Sequence, residues 1–389
     1  MMATPDPKVA VIGGGVVGCA VAHAFTRRGV EVVLLEAETG LALGASGTNS
    51  GILHTGFDAT PGELETALIL RSVALREELL DELGIFAWRC GALLAPGDED
   101  ERASVRKLSE NARVNGVATH LGDDGCLTVP GEAVTDPVAF ARALAAAACA
   151  GGASLRIGAR VSGLAREPRG GLAVELRGGE RLQVGAAVNC AGLFADEVAA
   201  LAGDHPVSVY PRKGEFIVFA PVDGEPLEQI LLPVPSGLGK GVLVFPTVEH
   251  LIIAGPTARE REDKRDWSVE ADAEELIMPR ASRSYPALER ARTIGAYAGL
   301  RPAGREANYV IERSPKLAGL IHVAAIRSTG LSASLAIGEH VVGMLADDGT
   351  VKLGQTRPLP APPAQPARGA WWERAASYHA ASSSRIPAR

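Results

Sequence analysis

Apolar and polar positions along the chain change period repeatedly, and each change marks an element. Lys8–Ile12 is a short continuous apolar run, the signature of a buried strand. Cys19–Arg28 then carries apolar residues at helical spacing and stops before Gly29, a residue suited to a helix C-terminus. Val30–Leu35 is a second buried strand, closed by Glu36. Together these predict a βαβ unit of about thirty residues. Residues 62–83 read as a long amphipathic helix ended by Gly84, 98–114 as a polar helix, and Asp136-Pro137 as the start of an Ala-rich helix running to Ala150.

Strands are predicted at Trp88–Pro96, Ser154–Ile157, Val161–Ala165, Leu172–Leu176 and Val184–Asn189. Residues 207–220 and 231–254 alternate apolar with polar, with turns at Gly237–Gly239 and Glu249-His250, which predicts antiparallel sheet. Glu274–Ser284 looks helical, and Leu320–Ala325 is a buried strand feeding a helix over 332–345. The expected class is therefore α/β. A discontinuous Rossmann-like domain uses 1–83, 135–205 and 295–350. A second α+β substrate or cap domain, on a mixed or antiparallel sheet, uses 84–134 and 206–294. Residues 355–389 form a proline-rich tail, in which a Trp371–Ala380 segment either docks on the body, docks on a partner, or is a loosely held terminus.

The turn between the first strand and helix reads Gly13-Gly14-Gly15-Val16-Val17-Gly18. Gly13 allows a tight turn, Gly15 lets backbone approach a pyrophosphate, and Gly18 lets helix and strand pack closely. The helix start offers N–H groups and partial positive charge to phosphate. Glu36 stands 18 positions after Gly18, where an acid accepts hydrogen bonds from a ribose diol. The alternative is a glycine-rich turn with a surface glutamate. Residues 44–56 (GASGTNSGILHTG) are too small and hydroxylated to build core and form a loop that hugs a ligand.

Composition excludes other classes. The 389 residues are 47% hydrophobic and 22% charged, as in ordinary globular proteins. The net charge of -7, from 46 acidic and 39 basic residues without a basic cluster, argues against a nucleic-acid partner. Cys19, Cys90, Cys126, Cys149 and Cys190 are scattered without a C-x-x-C, so no metal site is expected. They read as reduced thiols filling core, in a soluble cytoplasmic protein without a signal peptide or membrane span. There is no G-x-S-x-G, H-E-x-x-H or Walker pattern.

Small-residue turns return at 189–196 and 327–334, which suits an extended FAD better than the contiguous nucleotide domain of a nicotinamide enzyme. The N-terminal βαβ with Glu36, NCAGLFAD at 189–196, GLRP at 299–302 and IRSTGLSAS at 326–334 resemble the FAD-dependent D-amino-acid-oxidase-like superfamily. TNSGILHTGFDATPGELE (48–65), PRKGEFIVF (211–219), LGKGVLVFPT (238–247) and AGPTARERED (254–263) resemble its branch of glycerol-3-phosphate dehydrogenases and oxidases and L-2-hydroxyglutarate oxidases.

The resemblance implies FAD bound by Gly13, Gly15, Val16, Val17, Gly18 and Glu36. It adds Ala45, Ser46, Thr48, Asn49 and Ser50, then Val161, Ala191, Gly192, Gly330 and Leu331. It implies oxidation of a small anionic secondary alcohol, foremost sn-glycerol 3-phosphate, with L-2-hydroxyglutarate as the alternative. His54 matches the histidine at the reacting face, and histidine exchanges protons near neutral pH. Arg301, following G-L-R, suits a phosphate or carboxylate. Ser328 and Thr329 offer hydroxyls, and Lys240 lies in the glycine-rich hairpin over the substrate. Arg327 either contacts substrate or supports its turn by a salt bridge. Lys264 is either a substrate cation or part of a solvated charge run. The chain departs from relatives with a C-terminal cysteine cluster or a basic amphipathic membrane segment, which points to oxygen or a soluble carrier as electron acceptor. An amine substrate and a non-catalytic flavin-binding protein are the remaining alternatives.

Overall fold

The computed structural model describes residues 8–235, 241–360 and 369–383, with side chains to residue 380. Among these residues the chain forms two principal sheets, of six and nine strands, and two small three-stranded ones. The six-stranded sheet runs in the order Val310–Arg313, Leu320–Ala324, Ala186–Asn189, Val9–Ile12, Val32–Glu36, Ser154–Ile157. It is parallel except at Val310–Arg313. Its central strands are mostly apolar because both faces are covered, with Asn189 and His322 as buried polar exceptions. Val9, Val11, Val32 and Leu34 face one core, while Ala10, Ile12, Val33 and Leu35 face another.

On the first face α1 (Val16–Arg27) packs between α4 (Pro137–Ala150) and α7 (Gly330–Asp347). The small strands Val161–Arg166, Leu172–Leu176 and Arg181–Val184 pair antiparallel and cover the second face, together with Val198 of α5 (Ala195–Ala200). Asp136 caps α4 by accepting from the N–H of Val138 and Ala139, and Asp98 caps α3 (Glu99–Val114) in the same way. The helix α2 (Leu64–Leu83) ends at Gly84 in the left-handed conformation.

The nine-stranded sheet centres on two long strands, Val209–Phe219 and Thr293–Gly304, paired antiparallel. It is mixed, because Ile230–Leu231 runs parallel to Ala92–Leu94 while its other pairings are antiparallel. The helix α6 (Ala273–Ser284) covers it through Ile277 and Ala281. One expected element is divided. In place of a single strand over Trp88–Pro96, Ala87–Trp88 pairs in a small sheet with Thr135 and Val134, and Ala92–Leu94 pairs in the large sheet with Val129 to Leu127. Gly91, at φ 68°, turns the chain between them. Glu132 lies on the returning strap, between Val129 of the large sheet and Ala133 of the small one, and its carbonyl accepts from Gly91 N–H at 2.9 Å.

Val16 and Val17 belong to the first turn of α1, so the helix starts earlier than its periodicity predicts. All five cysteines are free thiols, and Cys19 and Cys190 are buried. No described helix is long and apolar enough to cross a membrane. The tail returns to the body as α8 (Trp371–Ser383), with Trp371 and Trp372 buried. The predicted turn Gly237–Gly239, Lys240 and Pro362, Pro363 and Pro366 lie outside the described residues.

Candidate active site

The glycine turn is shaped by backbone contact. Gly13 has φ 110°, and a Cβ there would lie 2.5 Å from the Cys190 carbonyl oxygen. A Cβ on Gly18 would lie 1.9 Å from the Gly13 carbonyl oxygen. Only glycine lets α1 begin this close to the strand. No acidic residue occupies the first turn of α1, and the Val16 N–H donates to Ser46 Oγ at 2.9 Å. Glu36 accepts from the N–H of Gly14 at 2.6 Å and of Glu38 at 2.7 Å, fixing the turn to the end of the second strand. Burial pushes its carboxyl pKa up, against the lowering effect of those N–H groups.

A cavity of about 440 Å³ opens above this turn, within the range of small-molecule sites. Gly13, Gly15, Val16, Val17 and Glu36 wall one end, beside Val161. Ala45, Ser46 and Asn49, Ala191 and Gly192, and Gly330, Leu331 and Arg327 also line it. Backbone at the glycines, the positive end of α1 and spare lone pairs on Glu36 suit pyrophosphate and ribose. These residues fit a flavin dinucleotide. Gly18, Thr48 and Ser50 are outside the lining; Gly18 acts through packing and Thr48 is buried.

His54 follows the short strand Ile52–Leu53. Its Nδ1 lies 2.8 Å from Oε2 of Glu132, a fully buried carboxylate. Glu132 Oε1 accepts from Thr55 N–H at 2.7 Å and Thr55 Oγ1 at 2.8 Å. An ionised carboxylate only accepts, so Nδ1 carries the proton and Nε2 is the basic nitrogen. The backbone is held as firmly. His54 N–H donates to Ser332 Oγ at 2.8 Å, and Arg76 donates to the carbonyls of Leu53 and His54 at 3.0 and 2.7 Å. Burial lowers the Arg76 pKa to about 10, with Glu132 opposing. Ser332 belongs to the same first turns of α7 as Gly330 and Leu331, which line the cavity; His54, Arg301 and Ser328 are not among its lining residues.

The predicted cations fall into three situations. Arg301, opposite Arg212 in the strand register, donates to the carbonyls of Arg212, Lys213 and Thr257 at 3.0, 3.3 and 3.1 Å. Burial draws its pKa to about 10, and Arg212 and Arg327 lower it further. Arg327 donates through Nε to Asn308 Oδ1 at 2.9 Å. Among the described residues neither Arg301 nor Arg327 has an ion-pair partner, so the salt-bridge alternative for Arg327 is not what the structure shows. Lys264 lies against the cavity, bonded to Asp196 at 2.7 Å and placed over the Phe194 ring, while Glu262, Asp263 and Arg265 of the same charged run are exposed. Ser328 is exposed, and its carbonyl accepts from Asn49 Nδ2 at 3.3 Å. Thr329 donates to Glu65 and bonds Tyr309 OH.

Glu132 and Arg76 are functional candidates that the sequence reading passed over. Arg76 carries a detectable signal: it falls on the buried stripe of α2 with Ile69, Ser72, Leu79 and Leu83. Glu132 has none, because its partner is 78 positions away.

The chain matches the family described as FAD dependent oxidoreductase over residues 8–344. It is similar to the glycerol 3-phosphate dehydrogenase of Caloramator mitchellensis, 30% identical over 353 residues that cover 87% of this chain and 73% of that one. It is also similar to an L-2-hydroxyglutarate dehydrogenase of Escherichia coli, 28% identical over 281 residues, 66% of each chain. In fold it is similar to the dithionite-reduced L-alpha-glycerophosphate oxidase of Mycoplasma pneumoniae with FAD bound, with TM-score 0.85 and 24% identity, covering 94% of this chain and 100% of that one. The chain belongs to the FAD dependent oxidoreductase family, and its cofactor is FAD.

Proposed function

We propose that this member of the FAD dependent oxidoreductase family oxidises a small anionic secondary alcohol, sn-glycerol 3-phosphate, to dihydroxyacetone phosphate. One observation carries the reading: a histidine is fixed on a buried carboxylate and, among the described residues, the guanidiniums of Arg301 and Arg327 bond only carbonyl and amide oxygens. The name of the Caloramator mitchellensis relative supports the choice of substrate.

Bound FAD supplies the acceptor for the hydride that leaves the carbinol carbon, at flavin N5. As that C–H bond breaks, His54 Nε2 takes the hydroxyl proton and the C–O bond becomes a carbonyl. Glu132 stabilises the imidazolium that forms and keeps the ring from turning. Arg301 and Arg327 hold the phosphate, whose oxygens supply the negative charge these guanidiniums lack in the protein. Ser328 adds a hydroxyl, and the sequence pattern adds Lys240. Oxygen or a soluble carrier removes the electrons. Gly13, Gly15, Gly18 and Glu36 serve the cofactor, together with the 45–50 loop, Val161, Ala191-Gly192 and Gly330-Leu331.

A second reading, oxidation of L-2-hydroxyglutarate, is favoured by the Escherichia coli relative and by the equal fit of guanidinium to carboxylate. Anaerobic mixing of the FAD-loaded protein with each compound, following loss of flavin absorbance, separates the two. Bleaching by glycerol 3-phosphate is expected. Bleaching by hydroxyglutarate alone overturns the first reading.

A further inference from the structure

The tail helix α8 is not explained by the reaction, yet it is docked with unusual thoroughness on both sides of the cavity. On the side of the parallel sheet, Arg374 donates to Asp136 Oδ2 at 2.8 Å, using the carboxylate that caps α4. Ala375 packs on Gly47 of the cofactor loop, where an added Cβ would stand 3.1 Å from the alanine methyl. Tyr378 OH donates to Glu38 Oε2 at 2.5 Å, and Arg160 bonds the other Glu38 oxygen at 2.8 Å.

On the side of the nine-stranded sheet, Trp372 stacks on Tyr297 and Trp371 meets the same ring edge-on. Tyr297 in turn stacks on Phe216. Two turns further along α8, His379 stacks on Trp267 with centroids 3.8 Å apart and planes 9° apart. Tyr378, His379 and Trp267 all line the cavity. Tyr378 joins it through Glu38, two residues beyond Glu36.

We infer that α8 is the outer wall of the FAD site: Tyr378 and His379 retain the AMP half of the cofactor, and helix docking and cofactor retention are one coupled equilibrium. The physical reason is geometric. The glycine turn and Glu36 face the cavity from the parallel sheet and Val161 from the small antiparallel sheet beside it, while Tyr378, bonded to Glu38, and His379, stacked on Trp267, face it from α8. An aromatic residue and an imidazole there exclude water from the nucleotide and add flat contact area. Because coupling is reciprocal, FAD must favour the docked helix by the same factor as the docked helix favours FAD.

Two measurements test this without relying on turnover. The first is release of FAD from diluted holoenzyme, read by flavin fluorescence, for the parent and a Tyr378→Phe, His379→Ala double variant. Loss of the stack and the Glu38 bond is expected to accelerate release about tenfold. The second needs no variant: trypsin cleavage after Arg374, identified by mass, in parent protein with and without FAD. The loaded form is expected to be cut about tenfold more slowly. If α8 is only a staple for the fold, the double variant melts lower as apoprotein but releases FAD at the parent rate. Release within twofold of the parent, or cleavage at a rate indifferent to FAD, overturns the inference.

Discussion

On one side of the cavity, from Gly13 to Gly18, the wall is backbone. What matters there is the absence of side chains, and the residues that must cooperate stand within a few positions of one another. Away from that turn the proposed reacting groups are side chains gathered from distant parts of the chain. His54 and Glu132 are 78 positions apart, Arg301 meets carbonyls 88 and 89 positions away, and α7 supplies Ser332 from 278 positions beyond His54. The cradle tolerates almost no added atom but needs no particular functional group beyond Glu36. The proposed reacting groups are named side chains that need fixed orientation. Holding a cofactor and acting on a substrate therefore fail in different ways, and the difference can be probed.

The most drastic break is Gly18→Ala. A methyl 1.9 Å from the Gly13 carbonyl oxygen forces α1 away from the strand. The expected cost is roughly 3 kcal/mol or more, with protein that purifies without FAD. A yellow variant melting with the parent would contradict the backbone account of the cradle.

On the reacting side, His54→Ala should keep full FAD content and the parent's melting temperature, while anaerobic flavin reduction slows by roughly 10²–10⁴-fold. Glu132→Gln preserves shape and should slow it by about 10–100-fold, since an amide cannot hold the imidazolium as a carboxylate does. Unchanged reduction in both variants would remove the proton-acceptor assignment.

A third test concerns His23, inside α1, whose Nε2 has no partner among the described residues. Burial lowers its pKa from 6.5 to about 4, with Arg27 adding to the effect. Between those values the unfolded chain binds a proton that the folded chain refuses, so stability is full above pH 6.5 and declines as pH falls to about 4. The loss is about 3 kcal/mol at most. His23→Gln should flatten the melting profile over this window; a profile as steep as the parent's places the effect elsewhere.

The smallest effect is expected from Arg327→Ala, which should raise KM about tenfold at little cost to the rate at saturation, consistent with about 1.5 kcal/mol for one charged hydrogen bond. An equal fall in turnover with neutral and anionic alcohols would refute its role in holding the anion.

The same contrast explains what could be read from the sequence. The cradle is legible because its requirement, glycine at fixed offsets between a strand and a helix, is local. Arg301 and Arg327 are legible through motifs, but their environment is not: whether Arg327 meets a carboxylate or an amide depends on Asn308, which arrives on another loop. Lys264 looked equally suited to solvent, and its inward position is set by Asp196 and Phe194 from the parallel-sheet side. Glu132 was invisible because a single acid between Gly131 and Ala133 has no pattern; only the pairing of its strap with Ile52–Leu53 brings it under His54. The split of Trp88–Pro96 turned on Gly91, a break in a run that otherwise alternates like one strand.

That strap gives Glu132 a property of its own. It connects Val129, tied into the large sheet, to Ala133, tied to the residue beside His54. The carboxylate thus sits at the seam between two bodies, like the contact of a relay mounted on the joint it senses. The same carboxylate holds His54 Nδ1 through one oxygen and Thr55 through the other, so whatever moves the strap carries the partner of the imidazole and the anchor of the next residue together.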